Sequence, residues 1–313
     1  MAVVLLTALL TPAAQASSSE SWAVVTGASA GIGAAAARQA AARGYNVLLA
    51  ARRKDHLQHV ADEISAGADV CVECVSCDLS RADGVAALCA AADCHAVRLA
   101  VLNAGVCVSG GLCIQSEAQV EKVLALNVHA TTALLRHFGH TMSCSAEGGG
   151  TGRVLLIASS AAAAPGIPGV AIYAASKAYL RSLAQGARAE LRRGGGRESV
   201  SVTCALPSAV DGTEFSAASG LEGSAIFSLP RGLRRLGGTV MSAEAVAKCA
   251  LDAALSGRAE VVPGLFPRLF VGLADRRLLP PAWTRGIAAF CFADAPFGPQ
   301  HARSYGVQSR MIR

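Results

Sequence analysis

The stretch WAVVTGASAGIGAAAARQAA, residues 22–41, joins a short apolar run to an alanine-rich helical pattern through a loop with three glycines. The run WAVVTGA (22–28) has no polar alternation, so it reads as a strand buried on both faces, and the pattern that follows predicts a helix over about 31–43. Gly27 permits a tight turn out of the strand, while Gly31 and Gly33 let the backbone come close to a bound group. Ser29 and Ile32 lie among them. At this point the free N–H groups and the positive end of the helix dipole favour negative charge. Strand, glycine loop and helix in that order make a pyrophosphate site for a dinucleotide.

The same alternation runs outward from this unit. Apolar runs at 46–51, 68–74, 98–104, 153–159, 199–205 and 259–263 alternate with helical patterns at about 55–66, 80–92, 117–141, 173–193 and 242–256. Repeated strand–helix–strand units predict an α/β fold, a doubly wound, Rossmann-like three-layer sandwich on a parallel sheet of about seven strands. Of the 313 residues 52% are hydrophobic and only 16% charged, which excludes global disorder. Aromatic residues are 4% and alanine is abundant, so the core is expected to be built from small aliphatic side chains. The net charge of +6 is scattered, with no long basic run interleaved with aromatics, and no nucleic-acid partner is expected.

The end of the second strand bears on which dinucleotide binds. A site for NAD(H) places an acid there to hold the ribose 2′-hydroxyl. This chain reads LLAARRKD (48–55), with Ala51 in the expected acidic position and Arg52 and Arg53 after it. A guanidinium can take a 2′-phosphate in a bidentate fork, so NADP(H) is favoured over NAD(H).

TGASAGIG (26–33), CDLS (77–80), LNAG (102–105), LNV (126–128), Ser160, and Tyr173 with Lys177 stand in an order and spacing that resembles the short-chain dehydrogenases/reductases, over roughly residues 21–262. The resemblance implies that Asp78 and Leu79 lie along the adenine ring and that Asn103, Ala104 and Gly105 support the cofactor. It implies a catalytic tetrad of Asn127, Ser160, Tyr173 and Lys177, with Asn127 helping to hold a proton-relay water. Ser160 is preferred to its neighbour Ser159 because the family spacing of thirteen residues to the tyrosine falls on it. Pro207 and Thr213 are carried over as cofactor contacts, in a segment that departs from the family pattern: Ser208 stands where glycine is usual, and Gly212 is an extra residue before Thr213. Leu102 replaces a usual asparagine.

Tyr173 and Lys177 are i and i+4, so on a helix they share a face. An ammonium there, with the positive oxidised nicotinamide, is expected to lower the tyrosine pKa from its usual value of about 10 and to fit it as acid or base near neutrality. The expected activity is NADP(H)-dependent interconversion of a carbonyl and an alcohol. Phe215, Ile226 and Phe227, in a substrate loop placed at 207–241, suggest a lipophilic substrate. A 3-oxoacyl or 3-oxosphingoid reductase at the endoplasmic reticulum, and a dinucleotide-binding regulator without turnover, are the alternatives.

Outside the core pattern, residues 1–20 carry a short apolar run and an Ala-Gln-Ala cleavage pattern, without a basic leader. Secretory-pathway or organelle entry is expected slightly over a cytoplasmic location. The extension 263–313 mixes apolar residues and arginines between 264 and 292, a composition compatible with a membrane surface, the substrate cleft or a partner subunit. A homodimer is expected from the family resemblance. CVECVSC (71–77) lacks a fourth ligand at the right distance and reads as small buried thiols, and His129, His137 and His140 read as a helix surface or subunit interface, so no metal is expected.

Overall fold

The computed structural model describes residues 21–146, 151–164, 166–193, 200–219, 224, 226, 230, 232 and 236–292. Seven parallel strands form the central sheet: β1 (Trp22–Thr26), β2 (Asn46–Ala51), β3 (Val72–Ser76), β4 (Val97–Leu102), β5 (Arg153–Ile157), β6 (Ser201–Ala205) and β9 (Glu260–Val261). Their order is β3-β2-β1-β4-β5-β6-β9. The chain winds outward from β1 to β3, then returns to start again at β4 on the other side of β1. The sheet therefore splits between the ends of β1 and β4, which is where open sheets of this type bind ligands.

Helices cover both faces. α1 (Gly31–Ala41), α2 (Lys54–Gly67) and α8 (Ala243–Leu255) lie on one; α3 (Ala82–Ala92), α4 (Glu117–Val123), α5 (Thr131–Ala146) and α6 (Ala171–Arg193) lie on the other. Strand alternation sends Ala23 and Val25 of β1 into the first layer and Val24 into the second. Between α1 and α8, buried alanines (Ala36, Ala37, Ala40, Ala247, Ala250, Ala254) let the two helices approach closely. On the opposite face larger groups fill the gap, with Leu88, Leu134, Phe138 and Leu180 all fully buried. Each such burial contributes about 2 kcal/mol.

The structure revises one expectation and adds detail to two others. The third strand starts at Val72 rather than 68, and as an edge strand it leaves Cys71 and Cys74 exposed; only Cys77 of that trio is buried. Secondly, the substrate loop is pinned at both ends, because β7 (Ala209–Asp211) pairs in parallel with β8 (Val240–Ser242), and a short helix, α7 (Glu214–Ala218), follows β7. Thirdly, the C-terminal extension holds two helices, α9 (Leu265–Asp275) and α10 (Pro281–Phe292), folded back on the body. Val271 is buried in the main core and Ala288 in the small cluster around Tyr173. Phe227 and residues 1–20 and 293–313 lie outside the described residues.

α9 is clamped by charge. Arg181 of α6 forks onto Glu260 of β9 (2.6 and 2.8 Å) and onto Asp275 at the end of α9 (2.8 and 2.6 Å). With the Arg181 side chain only 14% exposed, removing it leaves two carboxylates facing each other in a partly dry site. Arg181→Ala is expected to cost about 2–4 kcal/mol in denaturant unfolding and to speed hydrogen exchange in 265–275 ahead of the sheet. Equal exchange in both variants would show that the clamp contributes nothing to holding α9.

Candidate active site

The loop after β1 is shaped by what its glycines lack. A Cβ on Gly33 would lie 2.1 Å from the Gly27 carbonyl oxygen, and Gly27 itself has φ +65°, a region open to glycine. The start of α1 has no side-chain cap and no acid in its first turn, so its N–H groups point at the cleft without a protein anion beside them. Asn103 braces the loop from β4, its Nδ2 donating to the carbonyls of Thr26 (3.0 Å) and Gly27 (3.3 Å). Thr26 Oγ1 in turn accepts from the N–H groups of Asn103 and Ala104 (2.9 and 3.0 Å) and donates to Val101 O (3.2 Å).

From this loop a cleft of about 500 Å³ runs across the ends of the strands. Ser29, Gly31 and Ile32 line its start, with Arg52, Arg53, Asp78 and Leu79 to one side. Asn103, Ala104 and Gly105 line its middle, Tyr173, Lys177 and Pro207 its far part, and Thr213 stands over Gly31 at the loop. Long, continuous and floored by a glycine loop, it fits an extended dinucleotide.

Lys177 is 4% exposed, and its Nζ donates to Ile157 O at 3.0 Å. Gly105 makes room for it: a Cβ there would come within 3.2 Å of both Lys177 Nζ and Asn127 Oδ1. Burial lowers the Lys177 pKa to about 8, against which the Cys204 and Cys107 sulfurs favour the charged form. For Tyr173, 5% exposed, burial pushes the pKa above the ordinary tyrosine range; Cys107 adds to this, and a hydrogen bond with Ser159 opposes it. The expected lowering by Lys177 is therefore not produced by the protein's own groups. The ammonium sits 5.7 Å from the ring centroid and spends a hydrogen bond on Ile157, so desolvation wins.

Of the two adjacent serines, the structure brings to the cleft the one the sequence reading passed over. Ser159, not Ser160, lines the cleft and reaches Tyr173. Ser160 begins a 3₁₀ turn (Ser160–Ala163), and its N–H is tied to Pro207 O at 2.9 Å. At the end of a strand one residue's step sends the side chain to the other face.

Asn127 lies fully buried in a π-helical turn, Leu124–Ala130, inserted between α4 and α5. Its side chain brackets Val106, accepting from that residue's N–H and donating to its carbonyl, both at 2.9 Å. Nδ2 also reaches Ser176 Oγ (3.0 Å), which donates to Tyr173 O (2.7 Å). Ser176 thus ties the π turn to the tyrosine helix. Sequence reasoning passed over it, though its place inside Tyr173-x-x-Ser-Lys177 is a signal. Thr26 and Cys107, which is buried beside Lys177 and lines the cleft, were missed as well, and Ser159 was set aside for its neighbour. Among the described residues no group of three His, Cys, Asp or Glu is placed to hold a metal.

Residues 21–222, well over half of the chain, match the family described as short chain dehydrogenase. An uncharacterised oxidoreductase of Myxococcus xanthus (strain DK1622) is 37% identical over 190 residues, 59% of this chain and 70% of that protein. A very-long-chain 3-oxoacyl-CoA reductase-like protein of Arabidopsis thaliana is 30% identical over 60% of this chain and 59% of its own length. Among solved structures, a short-chain dehydrogenase from Sphingobium yanoikuyae in complex with NADPH is similar with a TM-score of 0.68 and 28% identity, over 88% of this chain and 98% of that one.

Gly33→Ala tests the loop. With the new methyl 2.1 Å from the Gly27 carbonyl, the turn has to open, and dinucleotide affinity by fluorescence titration is expected to fall at least ten-fold, about 1.4 kcal/mol. Unchanged affinity would show that the loop does not hold the ligand.

Proposed function

Because the chain belongs to the short-chain dehydrogenase/reductase family, we propose that it is an NADP(H)-dependent oxidoreductase interconverting a ketone or aldehyde and the corresponding alcohol. The observation that carries this reading is the convergence of Ser159, Tyr173 and Lys177 at one end of a cleft whose other end is the glycine loop and Arg52–Arg53. Arg52 and Arg53, with Ala51 in place of an acid, support the 2′-phosphate form of the cofactor.

When bound, the dinucleotide supplies the hydride donor or acceptor. In reduction, Ser159 Oγ and the Tyr173 hydroxyl share the carbonyl oxygen, fixing its position and polarising it. Tyr173 gives its proton to that oxygen as negative charge develops there; in oxidation it takes the proton back. Lys177, held by Ile157 O, stabilises the phenolate left behind and orients the nicotinamide ribose. Asn127 and Ser176 act at one remove, keeping the π turn and the tyrosine helix in register. We assign the carbonyl-orienting role to Ser159 in place of Ser160.

The substrate end is walled by Val106, Cys107, Leu126, Val210, Phe215 and Ile226, which supports a lipophilic substrate. The Phe215 ring lies 5.9 Å from the Tyr173 ring. The likeness to the Arabidopsis 3-oxoacyl-CoA reductase-like protein favours a 3-oxoacyl compound as the second reading. Exposed Leu265, Leu269, Leu278, Trp283 and Ile287 on or between α9 and α10, near Arg268, Arg276, Arg277 and Arg285, support a peripheral membrane contact. No helix among the described residues is long and apolar enough to cross a membrane. A catalytic domain over 21–262, a homodimer, and entry into the secretory pathway or an organelle complete the proposal.

Two measurements test it. Ser159→Ala is expected to lower kcat/KM for carbonyl reduction about 10²–10³-fold, and Ser160→Ala less than ten-fold; the reverse order would return the role to Ser160. Because Lys177 is charged below its lowered pKa of about 8 and neutral above it, kcat/KM for reduction is expected to fall as pH rises through that value. A profile flat to pH 10 would remove the ammonium from the mechanism.

A further inference from the structure

Arg53, the residue assigned to the 2′-phosphate, already has an anionic partner within the protein. Its Nη1 lies 2.7 Å from Glu214 Oε2, and its Nη2 donates to Ser29 Oγ at 3.2 Å. Glu214 is the first residue of α7, the short helix of the substrate segment, and Thr213 just before it rests over the glycine loop. Thr213 Cγ2 is 3.2 Å from where a Cβ on Gly31 would stand. The next residue, Phe215, covers Tyr173. Three consecutive residues therefore touch the pyrophosphate loop, the phosphate-reading arginine and the tyrosine.

The segment is tied down on either side of α7, by the β7–β8 pairing before it and by the buried C-cap Ser219, whose carbonyl accepts from Ser109 N–H, but the helix itself is lightly held. It contains no buried residue, and both ion-pair partners are well exposed, Arg53 at 42% and Glu214 at 57%. Exposed pairs of this kind are weak. A phosphate dianion offers the same guanidinium more charge and a bidentate geometry, so it displaces a carboxylate readily. A neutral ribose 2′-hydroxyl cannot.

The geometry points to Glu214 as a latch: it competes with the cofactor's 2′-phosphate for Arg53, and its displacement frees α7 and draws Phe215 away from Tyr173. Glu214 is then a specificity-determining residue that couples recognition of the 2′-phosphate to opening of the substrate side. NADP(H) binding precedes substrate binding, and NAD(H) enters without releasing the helix. This inference rests on the assignment of Arg53 to the 2′-phosphate.

The test uses the full chain as wild type, Glu214→Gln, Arg53→Ala and the double variant, with NADPH and NADH titrated by nicotinamide fluorescence. Hydrogen exchange of 209–219 is followed with adenosine 2′,5′-bisphosphate or AMP as probe. Glu214→Gln is expected to tighten NADPH about three- to five-fold with NADH unchanged, and the same substitution made together with Arg53→Ala to give no such gain. In the wild type, exchange of 209–219 is expected to quicken with the bisphosphate and not with AMP; in Glu214→Gln it is fast from the start. If the wild type prefers NADPH but Glu214→Gln changes neither affinity nor exchange, the latch is overturned and the Arg53 assignment stands. If the wild type binds NADPH no better than NADH and Arg53→Ala has no effect, the assignment falls and takes the latch with it.

Discussion

An ammonium group buried inside a protein has to be held by something, and much of this structure is arranged around that of Lys177. Taking a charge out of water is costly unless polar groups replace the lost hydration. Here the replacement is the Ile157 carbonyl at the end of β5, with Gly105 leaving out the side chain that would block the approach. The β4 end that carries Gly105 is fixed in turn by Asn127 on both polar groups of Val106. The π turn that aims Asn127 at Val106 is tied to α6 through Ser176, and α6 carries Tyr173 and Lys177. The circuit closes on itself. Burial lowers the pKa of the lysine so held to about 8, so that it carries charge at neutral pH and loses it as the pH rises through that value.

The same helix links chemistry to the rest of the body. Tyr173, Lys177 and Arg181 follow one another at helical i+4 spacing; the first two meet the cleft and the third clamps α9 and β9. At the opposite end of the cleft, Arg53 is bound to the substrate segment through Glu214. The cofactor and substrate halves of the site are therefore in contact through side chains, although they come from opposite sides of the switch between β1 and β4.

Much of this was legible in the residues. Predominantly apolar runs marked the seven sheet strands, most clearly β1 and β2, because central strands of a parallel sheet are covered on both faces. The third run was displaced, its boundary misjudged at an edge strand where Glu73 and Ser76 face solvent. The glycine loop was legible because its glycines stand between a buried strand and an alanine-rich helix. Ser159 was not, because the family interval of thirteen residues to Tyr173 falls on Ser160; only the strand end shows which of the two side chains lines the cleft. α9 and α10 were obscured by prolines at 267, 280 and 281, of which Pro281 opens a helix and Pro267 sits in the first turn of another, positions where proline is tolerated. The expected lowering of the Tyr173 pKa rests on the charges of Lys177 and the oxidised nicotinamide, whereas burial, which a sequence does not display, acts the other way.

The account's central claim is proton transfer by Tyr173 to a carbonyl reduced at the expense of NADPH. The direct measurement is loss of reduced-nicotinamide absorbance over a panel of lipophilic ketones, aldehydes and 3-oxoacyl thioesters, with wild type beside Tyr173→Phe. Both proteins are predicted to bind NADPH with similar affinity, while only the wild type turns over, the phenylalanine variant falling by about 10²–10⁴-fold. Turnover undiminished in Tyr173→Phe, or NADPH bound tightly by a wild type that reduces no carbonyl in the panel, would contradict it.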